Sequence, residues 1–242
     1  AIKALKAGLK FGQQDQKDGL ISGQAGLAIT GIILKGFVGT LPTLSAKDCD
    51  AVMAIANEWL QDKSPMAEVL AAEQNWLTRI TQQLQEKPAK LANFLRDLGV
   101  ANDTIRIYQS PDVDIKMLLM QANRVAVNYF QDTLEGVKTP YFQRKPIQEV
   151  SNESISGLLA HLLSPFIDHV ADSYEKVRAR VQTLGVRCAL RRYYREHNKF
   201  PMSLAELKLG SIGIDPFSGK PFEYQREGTR YTIAIHEPTY KQ

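Results

Sequence analysis

Histidine and carboxylate side chains are the residues of this chain that could hold a metal ion. His169 and Asp172 lie three residues apart, so one face of a helix would present both. His161, two turns earlier, and Asp168 could join them in a zinc site. Such a site needs a further ligand at fixed geometry, and the sequence shows none. We therefore expect neither a metal ion nor another cofactor.

A basic run with interleaved tyrosines is the second candidate. Phosphate contacts and stacking on Tyr193 and Tyr194 would suit a single-stranded nucleic acid. The cations, however, fall around several faces of a predicted helix, and Glu196 interrupts them. A solvated helix face beside an aromatic core explains the run without a nucleic acid. Binding of an acidic partner protein is a third interpretation, which lies between these two. The basic residues are Arg178, Arg180, Arg187, Arg191, Arg192, Arg195 and Lys199.

The sequence lacks the motifs of nucleophilic catalysis. Ser22-Gly23 and Ser218-Gly219 have neither the strand-turn-helix context nor the flanking glycines of a nucleophile elbow. Cys49 and Cys188 are the only cysteines, too few for a disulfide framework. We expect two small buried side chains, which could pair only if the fold brings them together. An enzyme without a recognisable motif remains an alternative.

Composition bounds the class of protein. With 242 residues and a hydrophobic content of 44%, the chain can fold without disulfides or metals. Its net charge of +4 is small, and this surplus falls in the C-terminal third, which argues against a nucleic-acid partner. The chain begins at Ala1 rather than at methionine, so we expect a leader or a membrane anchor ahead of it.

An uncharged segment near the start predicts a buried helix. Residues 19–34 carry no charge, but this length falls short of the roughly 20 residues that cross a bilayer. Gly19, Gly23, Gly26 and Gly31 recur at a spacing that lets a neighbouring backbone come close. Association with a membrane is the alternative, because the same spacing of small residues drives helix pairing in lipid.

Serine and proline positions predict the helices that follow. Ser45 and Asp48 form a capping-box pattern for a helix that continues to Trp59. Each of three Ser-Pro pairs places an N-cap serine before a proline at the first helical position. Residues 104–108 alternate like a short strand, and residues 136–150 predict a loop or linker. The three pairs are Ser64-Pro65, Ser110-Pro111 and Ser164-Pro165.

A long helix and a hairpin follow. Apolar residues from Phe166 to Cys188 step by four and three, and the helix should stop at Phe200-Pro201. Beyond Cys188 the apolar residues shift to another face. We expect the first half of this helix to pack on the helical region and the second half on a hairpin of residues 221–226 and 230–236.

The C-terminal part carries the most specific pattern. The long helix ends in tyrosines and stops at Phe200-Pro201. A capping box from Ser203 to Glu206 and the segment Asp215-Pro-Phe-Ser-Gly-Lys-Pro-Phe222 then precede the hairpin. With this pattern, residues 186–235 resemble the periplasmic end of type II secretion pseudopilins. The whole chain is also similar to uncharacterised bacterial envelope proteins that carry a helical region before such a tail. The aspartates of the pseudopilin calcium loop are missing here, so the resemblance implies no calcium site.

These patterns together predict a mainly α protein with a small α+β C-terminal part. Residues 1–165 would form a helical bundle, and residues 166–242 a long helix capped by a β-hairpin. The resemblance implies a non-catalytic structural or interaction protein outside the cytoplasm, linked to a secretion or pilus-like system. Its partners would be envelope or secretion-system proteins, and it would meet the membrane only through an N-terminal anchor.

The resemblance also suggests where such a partner would bind. We expect the interaction surface at the junction of the long helix and the cap. The alternative is a small-ligand-binding or hydrolytic protein with its pocket in the helical region, near the glycine-rich helix. The residues expected at the interaction surface are Tyr193, Tyr194, Arg195, Asp215, Phe217 and Lys220.

Overall fold

The computed structural model describes residues 1–15, 19–61, 65–145, 150–151, 154–163 and 167–236. Over these residues the protein is mainly helical and has one two-stranded antiparallel sheet near its C-terminus, which confirms the predicted fold class. The helices are α1 (Ile2–Asp15), α2 (Leu20–Val38), α3 (Ala46–Gln61), α4 (Pro65–Glu86), α5 (Leu91–Asp97), α6 (Asn102–Tyr108), α7 (Ile115–Lys138), α8 (Ile155–Leu163) and α9 (Ile167–His197), and the strands are β1 (Glu223–Glu227) and β2 (Arg230–Ala234).

The chain groups into two compact units. The first unit contains residues 1–69, 137–144 and 169–242, and the second contains residues 70–136 and 145–168. These units divide the chain elsewhere than at the domain boundary expected between residues 165 and 166, which stays a prediction.

Small residues set the packing of α1 on α2 in the first unit. Leu5 and Leu9 of α1 are fully buried, and Gly12 on the same face lies against Gly26 and Thr30 of α2. A Cβ atom at Gly12 would come within 2.9 Å of the carbonyl oxygen of Gly26. The close approach predicted from the glycine spacing of α2 is therefore confirmed.

The start of α3 has the predicted capping box. Asp48 Oδ2 accepts hydrogen bonds from the Ser45 hydroxyl at 2.6 Å and from the Ser45 amide at 3.1 Å, and Ser45 Oγ accepts from the Asp48 amide at 3.1 Å. These bonds lower the pKa of Asp48 below its ordinary value, because they favour the ionised carboxylate. The reciprocal pair satisfies amide groups that the first turn of a helix leaves without partners.

The long helix α9 is buried on two faces within the first unit. Its first apolar seam includes Val170, Tyr174 and Val181, all buried, and Tyr174 stacks on Trp59 with ring centroids 6.0 Å apart. Farther along, Gly185 lets Ile212 of the cap come within 3.0 Å of the position of a Cβ atom. The change of packing partner along this helix is confirmed for the described residues.

The second face of α9 carries the C-terminal cap, which we define as residues 198–236. Apolar side chains from the helix, the turns after it and the hairpin form one cluster. Gln182 of α9 adds hydrogen bonds to the carbonyl oxygens of Ser211 at 3.0 Å and Ile214 at 2.9 Å. The buried members of the cluster are Val186, Ala189, Leu190, Phe200, Leu204, Leu207, Ile212 and Phe222.

The hairpin has the predicted strands with a turn one residue later. Tyr224 pairs with Ile233 and Arg226 with Tyr231, and Gly228, at a φ of 60°, begins the turn. A left-handed φ of this kind suits glycine, which has no Cβ atom. A two-stranded sheet is marginal in water, so the tyrosines and isoleucines that pack on α9 are needed to hold it.

The second unit buries one side of each of its longer helices. Thr81 of α4 and Asn123 of α7 form a hydrogen bond of 3.0 Å inside this unit. Its fully buried residues include Leu77, Leu95, Ile105, Leu119, Ala122, Ala126 and Leu159.

The strand predicted at residues 104–108 is wrong, because these residues belong to α6. Ile105 and Tyr108, three residues apart, are buried, whereas Ile107 is 44% exposed. Five residues can satisfy both a period of two and a helical period, and no strand lies beside them among the described residues to favour the extended form.

Two other predictions about chain connections need correction. The predicted helix start after Ser110-Pro111 is wrong, because α7 begins at Ile115. Asp114 Oδ1 accepts a hydrogen bond from the amide of Met117 at 3.1 Å at this start. Residues 136–150 are not only a linker, because α7 continues to Lys138 and Arg144 forms a buried ion pair of 2.6 Å with Glu175 of α9. Pro65 begins α4 as expected, whereas Ser64 and the pair Ser164-Pro165 lie outside the described residues.

The packing of α1 on α2 can be tested at its narrowest point. Gly12→Ala should lower the free energy of unfolding by about 1–3 kcal/mol, because the new methyl group overlaps backbone and side-chain atoms of α2. The matched control is Gly36→Ala, where nothing lies within 4 Å and the change should stabilise the helix by about 0.5–1 kcal/mol. Urea unfolding followed by circular dichroism measures both, and equal stability of the two variants would contradict the close approach.

Candidate functional site

Asp215, expected on the interaction surface, is fully buried and holds the cap together. Its Oδ1 accepts a hydrogen bond from the Phe217 amide at 3.0 Å, and its Oδ2 accepts from the His236 amide at 2.9 Å. The backbone of the same turn closes on itself, since the Asp215 amide donates to the Lys220 carbonyl at 2.8 Å. Asp215 therefore shapes the loop from inside and is not a contact residue.

Phe217 is also buried, and it packs edge-to-face on Tyr141 with ring centroids 4.9 Å apart. The neighbouring Gly219, at a φ of 67°, lies under the ring of Phe142, 2.7 Å from the position of a Cβ atom. Phe217 is therefore covered in the structure, and its place on an interaction surface stays a prediction. No local pattern indicates that Tyr141 and Phe142 cover this loop, because they are distant from it along the chain.

The remaining expected residues are at least partly accessible. Tyr193 donates a hydrogen bond of 2.8 Å to Glu206, which raises the pKa of the tyrosine and lowers that of the carboxyl group. Tyr194 packs on Phe200 with ring centroids 4.8 Å apart. Arg195 and Lys220 are exposed, and the structure shows no contact between them. The predicted surface is thus reduced to two exposed cations and parts of two tyrosines.

His236 links the end of the hairpin to the loop of Asp215. Its Nδ1 lies 2.8 Å from Asp215 Oδ2 and its Nε2 lies 2.9 Å from Glu223 Oε1. Both ring nitrogens can donate only when the imidazole is protonated. The bonds to Asp215 and Glu223 accordingly raise the pKa of His236 above its ordinary value. This arrangement forms a pH-dependent clasp.

The metal site considered at His161, Asp168, His169 and Asp172 is not assembled by the residues that the structure describes. His161 is exposed on α8, and no group of three metal-ligating side chains occurs in the described part of the chain. The side chains of Asp168 and His169 lie outside the description.

Cys49 of α3 and Cys188 of α9 are free, fully buried thiols that lie close to each other. Burial raises the pKa of both thiols, so neither has the thiolate character of a nucleophile. The fold does bring the two cysteines together, as an apolar contact between helices.

A groove between α2 and α9 is the clearest binding feature of the first unit. It has a volume of about 820 Å³ and is partly open to solvent. Leu27 and Leu34 of α2 and Val177 and Leu184 of α9, all buried, form its floor. Ile32 on the α2 wall is 72% exposed.

The two walls of the groove run in the same direction. Arg180 Nη1 lies 3.5 Å from the position that a Cβ atom of Gly31 in α2 would occupy. Farther along both segments, the guanidinium groups of Arg191 and Arg195 donate hydrogen bonds to the carbonyl of Pro42, just after the end of α2. The contacts follow the same order along both segments, so α2 and this part of α9 run in the same direction.

Cations border this groove. The described lining residues include Lys35, Lys176, Arg180 and Arg187 and no aspartate or glutamate. The buried Nε of Arg187 has no hydrogen-bond partner among the described residues. The groove therefore combines an apolar floor with positive charge, which suits a ligand that is both apolar and acidic.

Helix α2 also meets the length and composition of a membrane span. Its 19 residues have a mean hydropathy of 1.4, and 33% of the window is buried in the structure. A core helix of a soluble protein or a signal sequence passes the same test, so the alternative of membrane association stays open.

The role of Asp215 can be tested by its replacement. Asp215→Ala should lower the free energy of unfolding by about 2–4 kcal/mol, because the buried amides of Phe217 and His236 lose their acceptor. Glu223→Ala is the matched control: its carboxylate, with a 63% exposed side chain, contacts the same histidine ring, and its loss should cost about 0.5 kcal/mol or less. Thermal unfolding compares the two, and equal losses would contradict the structural role of Asp215.

The histidine clasp predicts a pH dependence. The folded pKa of His236 is raised, so the stabilisation is complete below the ordinary pKa of 6.5 and is lost as the pH rises through the folded pKa. The difference in unfolding midpoint between the wild type and His236→Asn should therefore shrink from about pH 6 to more alkaline pH. A difference that grows with pH over this range would contradict the clasp.

Comparison of the chain with models of protein families, with curated proteins and with solved structures found no match. The resemblance of residues 186–235 to pseudopilins therefore stays a prediction drawn from the sequence pattern, and the geometry of the first unit is the basis for a functional proposal.

Proposed function

We propose that this protein is a non-catalytic interaction protein that works outside the cytoplasm, in the setting of a secretion or pilus-like system. The observation that carries the interaction role is the groove between α2 and α9, an apolar groove whose charged lining residues, among those that the structure describes, are all cations. Exposed apolar surface beside such a groove is typical of a site that another molecule covers. The extracytoplasmic setting comes from the pseudopilin-like pattern of the cap.

The composition of the groove supports binding and not catalysis. Within the part of the chain that the structure describes, none of its lining residues is a histidine, cysteine, aspartate or glutamate, the residue types that most often act as general acids, bases or strong nucleophiles. The cap adds a loop fixed from inside by a buried carboxylate, so its exposed Lys220 is held in place before a partner arrives.

A small-ligand-binding protein is the second candidate, and the size of the groove favours it. A volume of about 820 Å³ lies within the range of about 300–1,000 Å³ that is usual for small-molecule sites. The groove also lies beside the glycine-rich helix, where the sequence suggested a pocket. Native mass spectrometry of the protein purified from its source would reveal a retained small molecule of one defined mass.

Capture from the envelope fraction of the source cells tests the interaction role. The immobilised full chain should retain a reproducible set of proteins, and the groove variant Lys35→Glu/Arg180→Glu should retain at least several-fold less of them, because two cations at the groove become repulsive to an acidic partner. Quantitative mass spectrometry of the eluates provides the measurement.

Two further double variants serve as matched controls with the same change in net charge. Lys3→Glu/Lys47→Glu alters exposed positions outside the groove and should capture like the wild type, whereas Arg195→Glu/Lys220→Glu tests the surface expected at the cap. If the wild type retains no specific protein, the interaction role is wrong. If the retained proteins include no secretion or pilus component, the link to such a system is removed.

A further inference from the structure

The cations at the groove form a regular ladder along it. The guanidinium of Arg180 lies beside Gly31, and α2 and α9 run in the same direction. Along α9, Lys176 lies one turn before Arg180 and Arg187 lies about two turns after it, while Lys35 lies one turn after Gly31 on α2. The four cations thus come from both walls, and those of α9 span about 16 Å, at about 1.5 Å per residue.

A helix repeats its surface at the same interval. Residues i, i+4 and i+7 or i+8 of an α-helix lie on one face about one turn apart, so one acidic residue per turn would meet this ladder. The lining stretches of α2 and α9, from Gln24 to Val38 and from Ser173 to Arg187, each extend about 21 Å, the length of roughly four helical turns.

The wall formed by α2 permits close approach. Ala28 and Gly31 are small residues of the lining, and Gly31 has no side chain between its backbone and the Arg180 guanidinium. The exposed Ile32 stands beside them and offers apolar contact to an incoming helix. A helix with an apolar stripe flanked by acids can therefore lie along the floor while its carboxylates face the cations.

We propose that the groove binds an acidic amphipathic helix of a partner protein. This inference rests on the proposed interaction role and names the chemistry of the partner. A single acyl chain would bring one anionic head group and would engage one level of the ladder, whereas a helix with one acid per turn engages successive levels, such as those of Arg180 and Lys35. The occupant is therefore a helix and not a lipid.

Fluorescence anisotropy with synthetic peptides tests the inference on the full chain. The probe is a lactam-bridged helical peptide of about 15 residues, since shorter isolated helices are marginal in water. It carries a leucine stripe at i, i+3, i+4 and i+7 with one glutamate per turn beside it. The first comparison peptide has lysine in place of each glutamate, and the second has the glutamate composition in scrambled order.

The glutamate peptide should bind the wild type at least about tenfold more tightly than either comparison peptide. Lys35→Glu/Arg180→Glu should reverse this preference, so that the lysine peptide becomes the tighter ligand. The control Lys3→Glu/Lys47→Glu, with the same net charge as the groove variant, should behave like the wild type.

Three outcomes would overturn the inference: equal binding of all peptides, no reversal in the groove variant, or the same loss in the control variant. Flotation with anionic phospholipid vesicles separates a membrane surface from a helix. Vesicle binding that depends on Lys35 and Arg180, without binding of the glutamate peptide, would show that the groove binds a lipid surface and not a helix. Peptide binding without any protein captured from the envelope would leave the groove assignment in place and remove the proposed function.

Discussion

Burial of α9 on two of its faces is the constraint on which the first unit depends. One seam of this helix packs on neighbouring helices, as at the stacked pair Trp59 and Tyr174, and the other carries the cap. The change of partner falls near Gly185, where the missing side chain makes room for Ile212. A larger residue there would force the helix and the cap apart, and the marginal two-stranded hairpin would lose its support.

Polar groups in the cap are satisfied from inside, which explains how so small a sheet holds a defined shape. Gln182 bonds to two carbonyl groups of the loops, Tyr224 donates to the carbonyl of Pro201 at 2.9 Å, and the carboxylate of Asp215 takes up the amides of Phe217 and His236. A buried polar group without a partner costs about 1–3 kcal/mol, so these bonds fix the loops as effectively as the apolar cluster does. The aspartate that looks like a surface residue in the sequence is thereby a buried hydrogen-bond acceptor.

The groove arises because α2 packs closely with α1 through its glycine face and leaves other residues uncovered. Ile32 stays largely exposed, and the cations of α9 lie across from it. The sequence alone identified the glycine face of α2, the basic run of α9 and an acidic protein as one possible partner. It could not place Lys35 of α2 at the same groove as Arg180, because this depends on how two helices far apart along the chain lie beside each other.

Local patterns determined much of the secondary structure, because caps, prolines and helical periodicity act over a few residues. The Ser45–Asp48 box, the seam of α9, its end before Phe200-Pro201 and the hairpin all follow from such signals. Local patterns mislead at two places. Residues 104–108 fit both a strand period and a helical period, and two possible N-cap residues precede α7. The sequence patterns also left α1 unpredicted, although Leu5, Leu9 and Gly12 share one helical face.

Tertiary structure alone decided which of the predicted surface residues are accessible. Phe217 is buried by Tyr141, and Asp215 is buried where it bonds to the end of a strand some twenty residues away. Burial depends on segments distant along the chain, and no local pattern records which of them will meet.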